Sequence, residues 1–321
     1  MFGKKKASAA QGGTVLILDI ESGSVATALV DMSKAQPQIM YAHREHLPLL
    51  PSRSGSTIAN ALEKSLAHTL QRASEIAARM RLHSTEQPLG HVARVAVFLA
   101  APWGSPDLVK GNSKFVPGIR EYIKEKVEAS FGTAPVSFYT SADALTHNHK
   151  VTGGGSDTVA VALRGELLEL LFLSNDMVRA YTTVPLGSRS ILRTLQTHGA
   201  LSEHEARSML RLQKHTSNAQ YEPLQAASKH LSDAFVDSAA LVLPLKSNAT
   251  ILIVAEQPMG EWFAKSIADN SRVLTVFVPE STVEAFLPYH VADHVGQSGV
   301  EDPFILTETL FLKKGDTFGV Y

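Results

Sequence analysis

The stretch Val15-Leu-Ile-Leu-Asp19-Ile20-Glu21-Ser22-Gly23-Ser24-Val-Ala-Thr-Ala-Leu-Val30 constrains the fold more than any other part of the chain. Two apolar runs flank four small or acidic residues, the pattern of a strand, a tight turn and a second strand. Small residues in a turn let backbone amides approach a phosphate closely. An acid at the end of a strand can hold a magnesium ion through water. On this reading Ser22, Gly23 and Ser24 bind phosphate and Asp19 serves the metal. The plainer alternative makes Asp19 a turn acid that closes a buried strand.

The rest of the chain repeats this opening. Strands are expected at 14–20, 25–31 and 38–46, followed by a helix over about 57–82 in which Ile58, Leu62, Leu66 and Leu70 fall four apart. A continuous apolar strand over 92–101 suits burial on both faces. A helix at about 117–131 and a strand at 136–139 complete the first round. The segment 146–157, with three consecutive glycines, reads as a loop and a domain boundary. A second strand pair follows at 158–163 and 167–173 around Arg164-Gly165-Glu166, then a strand at 177–184. Helices are expected at about 188–198, 203–214 and 222–241, with Ser202 and Glu205 spaced as a capping box. A strand at 250–255, a helix at 260–269 and a strand at 273–278 come next, and the apolar run 304–312 reads as a last strand. Two similar rounds, each opening with a hairpin, predict a duplicated α/β fold with mixed sheets in two domains around a cleft. The expected division is a flexible arm over 1–13, a first domain over 14–150 and a second over 151–321 with a small helical insertion at about 188–245.

Composition narrows the function. Among 321 residues 44% are hydrophobic and 19% charged, so the chain is expected to be globular. A formal net charge of −1 gives no basic field for nucleic acid. The absence of cysteine removes disulfides, thiolate metal sites and a cysteine nucleophile. No apolar run is long enough for a membrane span. Met1-Phe-Gly-Lys-Lys-Lys has no apolar stretch after its charges, so no signal peptide is read there and a cytoplasmic protein is expected. The three lysines read as a solvated tail.

These features together resemble the actin-like ATPase superfamily (a ribonuclease H-like duplication), and within it the bacterial FtsA and PilM proteins. Asp19-Ile20-Glu21-Ser22-Gly23-Ser24 resembles the family's first phosphate motif, with Glu21 in place of a glycine and no lysine in the turn. The second phosphate motif is placed at Ala162–Glu169, where Gly165 and Glu169 remain; Gly153-Gly-Gly-Ser-Asp157 is the rival placement. The adenosine motif corresponds to 251–263, with Glu256 and Gln257 replacing paired glycines. Leu201–Arg207 resembles a helix start found between the last two motifs, and 31–56 stands as the remnant of an extra subdomain. The C-terminus does not resemble FtsA's amphipathic membrane helix.

The resemblance implies ATP and Mg as cofactors, with Asp19, Ser22, Gly23, Ser24, Arg164, Gly165, Glu166 and Gly260 at the site. The lost glycines, the aliphatic Leu168 and the acids Glu21 and Glu256 imply a degenerate site, binding nucleotide weakly or not at all. The function implied is a scaffold or adaptor of a cell-division or type IV pilus assembly machine. Its partner would be the cytoplasmic tail of an inner-membrane protein, which places the chain at the inner face of the membrane. An active ATPase or small-molecule kinase, and a self-associating filament protein, are the alternatives.

Other constellations carry less. Asp143, His147 and His149 lack strict ligand spacing and read as part of a polar loop. His290, Asp293 and His294 have helical metal-pair spacing without the glutamate of a zinc protease motif. Arg189 and Arg193 read as a solvated helix face, Trp103 as loop packing, and Trp262 and Phe263 as core.

Overall fold

A computed structural model describes residues 13–48, 55–83, 90–151, 157–199, 201–212, 222–242, 249–256, 259–270, 283–285, 296–297 and 302–315. The first half holds β1 (Thr14–Ile20), β2 (Ser24–Asp31), β3 (Gln38–His46), α1 (Gly55–His83), β4 (Val92–Leu99), β5 (Gly104–Asp107), β6 (Asn112–Phe115), α2 (Ile119–Phe131), β7 (Val136–Thr140) and α3 (Ser141–Val151). The second holds β8 (Thr158–Leu163), β9 (Leu168–Ser174), β10 (Met177–Val184), α4 (Ser188–Gly199), α5 (Glu203–Leu212), α6 (Glu222–Val242), β11 (Thr250–Ala255), α7 (Met259–Asn270) and β12 (Val283–Ala285). β13 (Gly296–Gln297) and α8 (Pro303–Gly315) follow.

The two main sheets run β13-β3-β2-β1-β4-β7 and β10-β9-β8-β11-β12. In each, a three-strand antiparallel meander is extended by parallel strands from its first member. The expected duplication is therefore visible strand for strand. The outer face of the first sheet is covered by α1 and α2 through Leu62, Leu66, Leu70, Ile123 and Val127. The outer face of the second is covered by α4 to α7 through Leu192, Leu195, Leu231 and Phe263. Between the inner faces, Val15, Ile17, Ala160 and Leu171 meet Leu145 of α3 and Ile305 and Leu306 of α8. Burial on both faces explains why β1, β2, β8 and β9 are apolar almost throughout instead of alternating.

Four expectations need correction. The run Phe304–Leu312 is helical and forms most of α8. A short apolar run surrounded by core cannot be assigned by periodicity. The decisive signal lies at its start, where the Asp302 carboxylate accepts the amides of Phe304 and Ile305 and Pro303 takes the first helical position. The loop read from 146 is helix as far as Val151, and His147, Asn148 and His149 are buried in α3. His147 meets the Phe311 ring of α8 edge-on, and His149 lies 2.9 Å from the Thr158 hydroxyl of β8. Residues 38–46 are no subdomain remnant, because β3 pairs along its length with β2. The stretch beyond Trp103, expected to be loop, forms the small hairpin β5–β6. The readings over 273–278 and at His290, Asp293 and His294, like the rival loop 153–156, lie outside the described residues.

The C-terminal segment returns to the first half. β13 pairs with β3 at Gln38 and Ile39, and α8 packs against β1, β2 and α3 as well as β11.

Candidate functional site

Each sheet ends its first hairpin in a four-residue turn of the same construction. In one, the Glu21 amide donates to the Ser24 carbonyl at 3.1 Å; in the other, the Arg164 amide donates to the Leu167 carbonyl at 3.1 Å. The turns face each other and touch. A Cβ placed on Gly165 would lie 2.6 Å from the Gly23 Cα, and one on Gly23 would lie 2.8 Å from the Gly165 Cα. Only glycine at both positions permits this approach.

The first side chain of each turn crosses to the other half. Glu21 accepts the Gly165 amide at 2.9 Å while also holding the Gly23 amide at 3.1 Å and the Ser24 hydroxyl at 2.6 Å. Arg164 crosses the other way and donates to Asp19 Oδ2 at 2.8 Å. A third cross-link joins the Glu166 amide to the Ser22 hydroxyl at 3.1 Å. The turns are thus held together by one carboxylate, one guanidinium and one hydroxyl around the glycine contact.

Asp19 has a second cation. Arg44 donates to Asp19 Oδ2 at 2.7 Å and to the Ser24 hydroxyl at 2.7 Å. The register explains the reach: Asp19 lies opposite Ala26, and Ala26 opposite Arg44, so the guanidinium passes over a methyl group. Burial alone would push the Asp19 carboxyl up, but Arg164 and Arg44 outweigh it and hold it below the usual carboxylate range. Arg44 also donates to Asp302 at 2.8 Å, tying β1, β2 and β3 to the start of α8. The Phe304 ring closes the cluster, with the Arg164 guanidinium 3.7 Å from its centroid.

Two further acids lie in the seam. Glu169 accepts the Ala101 amide at 3.1 Å, the Tyr181 hydroxyl at 2.8 Å and the Ser141 hydroxyl at 2.8 Å, so it bridges the halves as well. Glu308 of α8 is 1% exposed and has no hydrogen-bond partner on either oxygen. Burial, with the Asp19 charge adding to it, drives its carboxyl well above the usual range against the pull of Arg164 and Arg44.

The remaining expected residues take structural partners. Glu166 is gripped by both terminal nitrogens of Arg193 at 2.7 and 2.6 Å. Arg189 donates to the Leu47 carbonyl at 2.6 Å and to the Gly23 carbonyl at 3.4 Å. The expected solvated face of Arg189 and Arg193 is instead a clamp, buried at Arg189 and half-buried at Arg193, because α4 starts directly over the second turn: the Ser188 and Arg189 amides donate to the Arg164 and Gly165 carbonyls. Gly260 sits in the first turn of α7, its amide donating to the Glu256 carbonyl at 3.0 Å. Trp103 donates through Nε1 to the Glu21 carbonyl at 3.4 Å, and Trp262 and Phe263 are core. Asp143 is a local cap for Thr140 and accepts the Ser113 hydroxyl. Among the described residues no three His, Asp or Glu side chains are placed to hold a metal ion.

A cavity of about 160 Å³ opens beside the turns, lined by Glu21, His46, Arg189, Arg207, Glu256 and Met259 among others. Pockets that bury a drug-sized ligand run to about 300–1,000 Å³. Burial lowers the His46 ring to about 4, aided by Arg44. Burial raises Glu256 to about 7, with Arg44 opposing. As arranged, these residues do not fit a magnesium ion and triphosphate: the amides of both turns serve Glu21, and Asp19 serves two guanidiniums.

Arg44, Asp302, Phe304 and Glu308 were not foreseen. An arginine inside the strand Tyr-Ala-His-Arg-Glu-His and an Asp-Pro ahead of an apolar run were the available signals. Their convergence on Asp19 needs the folded chain.

No protein-family model matches the sequence, and no curated protein matches it. Solved structures do match. The ethanolamine utilization protein EutJ from Carboxydothermus hydrogenoformans aligns over 95% of this chain and 89% of its own, with a TM-score of 0.56 at 11% identity. The PilM-PilN type IV pilus biogenesis complex aligns over 95% of this chain and 99% of that one, with a TM-score of 0.54 at 11% identity. With two matched sheets, facing hairpin turns and these neighbours, the chain has the actin-like ATPase fold.

Proposed function

We propose that this chain is an actin-fold scaffold or adaptor of the FtsA/PilM type whose nucleotide site has been taken over by its own side chains. The observation that carries the reading is Glu21. Its carboxylate sits on the Gly23 and Gly165 amides, one from each half, as a bound phosphate would. The Arg164 and Arg44 guanidiniums stand against Asp19 in the place of a metal ion. A buried pair of this kind is costly to break, since a lone buried charge costs about 3–5 kcal/mol. The cleft is thereby held closed without a ligand, and the fold offers a fixed surface in place of a nucleotide cycle.

In this reading the two-domain division expected from the sequence is kept, with α8 as a C-terminal strap through the seam. The partner is the cytoplasmic tail of an inner-membrane pilus or division protein; the PilM neighbour is itself described in complex with PilN. Calorimetry of the full chain with ATP and magnesium tests the reading. No heat of binding at millimolar ATP is expected, for wild type and Asp19→Ala alike. Tight binding abolished by Asp19→Ala would overturn it in favour of an active ATPase or kinase. Growth of light scattering on adding ATP would overturn it in favour of a filament protein.

A further inference from the structure

The β5–β6 hairpin is the unexplained element of the first half. Its foot is fixed: the Ser113 hydroxyl donates to Asp143, the Val116 amide donates to the Trp103 carbonyl, and the Phe115 ring meets Phe138 edge-on. Its tip is fixed as well. The buried Asp107 carboxylate accepts the Val109 and Lys110 amides at 3.1 Å each, and its carbonyl accepts the Gly111 amide at 2.8 Å. Two strands of four residues carry the tip roughly 13 Å from the foot.

This rigid tip holds apolar side chains in water. Val109 is 93% exposed and Leu108 46%, in adjacent positions at the apex. Ordinary hairpin chemistry puts polar residues or glycine there. Charge around the apex is one-sided. Between Gly104 and Val116 the charged residues are Lys110 and Lys114 against Asp107 alone, and Asp107 is the buried one. Lys114 reaches back to it at 3.2 Å with its ammonium still mostly exposed. The next charges, Arg120 and Glu121, are adjacent on α2 beyond the foot and offset each other.

We infer that the β5–β6 tip is a membrane-docking element, which inserts Leu108 and Val109 into an anionic lipid surface while Lys110 and Lys114 meet the headgroups. The order of chemistry along the hairpin matches the layers of a bilayer surface, where apolar groups enter about 5–10 Å and cations stay at the phosphates. Convexity favours lipid over a peptide. A Cβ on Gly111 would meet nothing within 4 Å, so the apex stands in open space. A fluid surface closes around such an apex without shape matching. Fixing the tip beforehand removes ordering cost from the docked state. The inference adds a direct lipid contact to the adaptor reading and does not depend on the state of the nucleotide site.

Co-sedimentation of the full chain with vesicles tests it. The protein should pellet with vesicles of phosphatidylcholine and phosphatidylglycerol in equal parts and stay in solution with phosphatidylcholine alone. The double variant Leu108→Ser, Val109→Asp should lose binding by about tenfold or more. Lys110→Glu should lose binding by about fivefold to tenfold, with the loss shrinking as salt is added. Both variants change exposed side chains, and unaltered urea unfolding will show that they fold. Because Lys4, Lys5 and Lys6 also attract anionic lipid, their triple alanine variant is measured beside them. Wild type that ignores anionic vesicles, or tip variants that bind as well as wild type, would overturn the inference. Loss of all binding in the lysine-arm variant with an intact tip would overturn it too, and a requirement for an acidic protein in place of lipid would appear as the first of these results.

Discussion

Replacing Glu21 with alanine removes the one group that joins the amides of both turns. The carboxylate accepts four hydrogen bonds, at 2.6, 2.9, 3.1 and 3.3 Å. Two of the donors are hydroxyls, which can rotate toward other acceptors. The other two are the Gly23 and Gly165 amides, which are fixed by the turns. A buried donor left unpaired costs about 1–3 kcal/mol, so both together cost about 2–6 kcal/mol. Water entering from the adjoining cavity of about 160 Å³ will satisfy part of this. The expected loss is therefore about 2–4 kcal/mol in urea unfolding, read as a lower midpoint with unchanged slope. The same variant carries a second signature. With the carboxylate gone, the facing amides form an anion site, and added phosphate should restore stability to Glu21→Ala by mass action. Wild type should gain nothing from the same phosphate. A stability loss below about 0.5 kcal/mol, within the range of neutral surface changes, would refute the bridging role. An equal gain from phosphate in both proteins would do the same.

Two other outcomes follow from the seam. Gly165→Ala places a Cβ 2.6 Å from the Gly23 backbone, so the turns must part; a loss of about 1–3 kcal/mol is expected in thermal or urea unfolding, whereas alanine tolerated at no cost would show that the turns do not touch in solution. Glu308 binds a proton in the folded chain at pH values where it has lost one in the unfolded chain, because its carboxyl is raised above the ordinary value of 4.5. The folded state then holds more protons, so this group's contribution to stability is fully present below about pH 4.5 and falls as pH rises toward the folded pKa. Glu308→Gln should flatten that fall and be more stable than the parent near neutral pH, with the difference vanishing in acid; parallel pH profiles of stability would contradict the assignment.

Much of the fold is legible in the sequence because secondary structure follows local pattern. The spacing of Leu62, Leu66 and Leu70 sets α1, and the apolar runs around Glu21–Ser24 and Arg164–Leu167 set the two hairpins. Ser202 and Glu205 announce α5 by a capping box, and the structure forms it: Ser202 donates to the Glu205 carboxylate from both its amide and its hydroxyl. Failures occur where local pattern is ambiguous. Phe304–Leu312 lies between two sheets and buries its polar Thr307, Glu308 and Thr309 along with its apolar residues, so no solvent-facing stripe reveals a helical period. His147 and His149 read as polar, yet α3 buries both, His147 against Phe311 of α8 and His149 against Thr158 of β8.

The site divides along the same line. From the sequence alone, Asp19 and the Glu21–Ser24 turn resemble a phosphate-type hairpin, with Glu21 where the family carries glycine. Sequence order also identifies Arg164-Gly165-Glu166 as the turn of the second hairpin. What those residues do to one another is decided by tertiary structure, because Asp19 and Arg164 are 145 positions apart and Arg44 and Asp302 are 258 apart. A buried carboxylate is neutralised by whichever cation the fold delivers to it, and no local pattern encodes that choice. Only the closed seam shows that the amides are spoken for by Glu21 and that Asp19 faces two arginines. Long-range pairing of buried charges is a property of packing, so it becomes visible only when both sheets are in place.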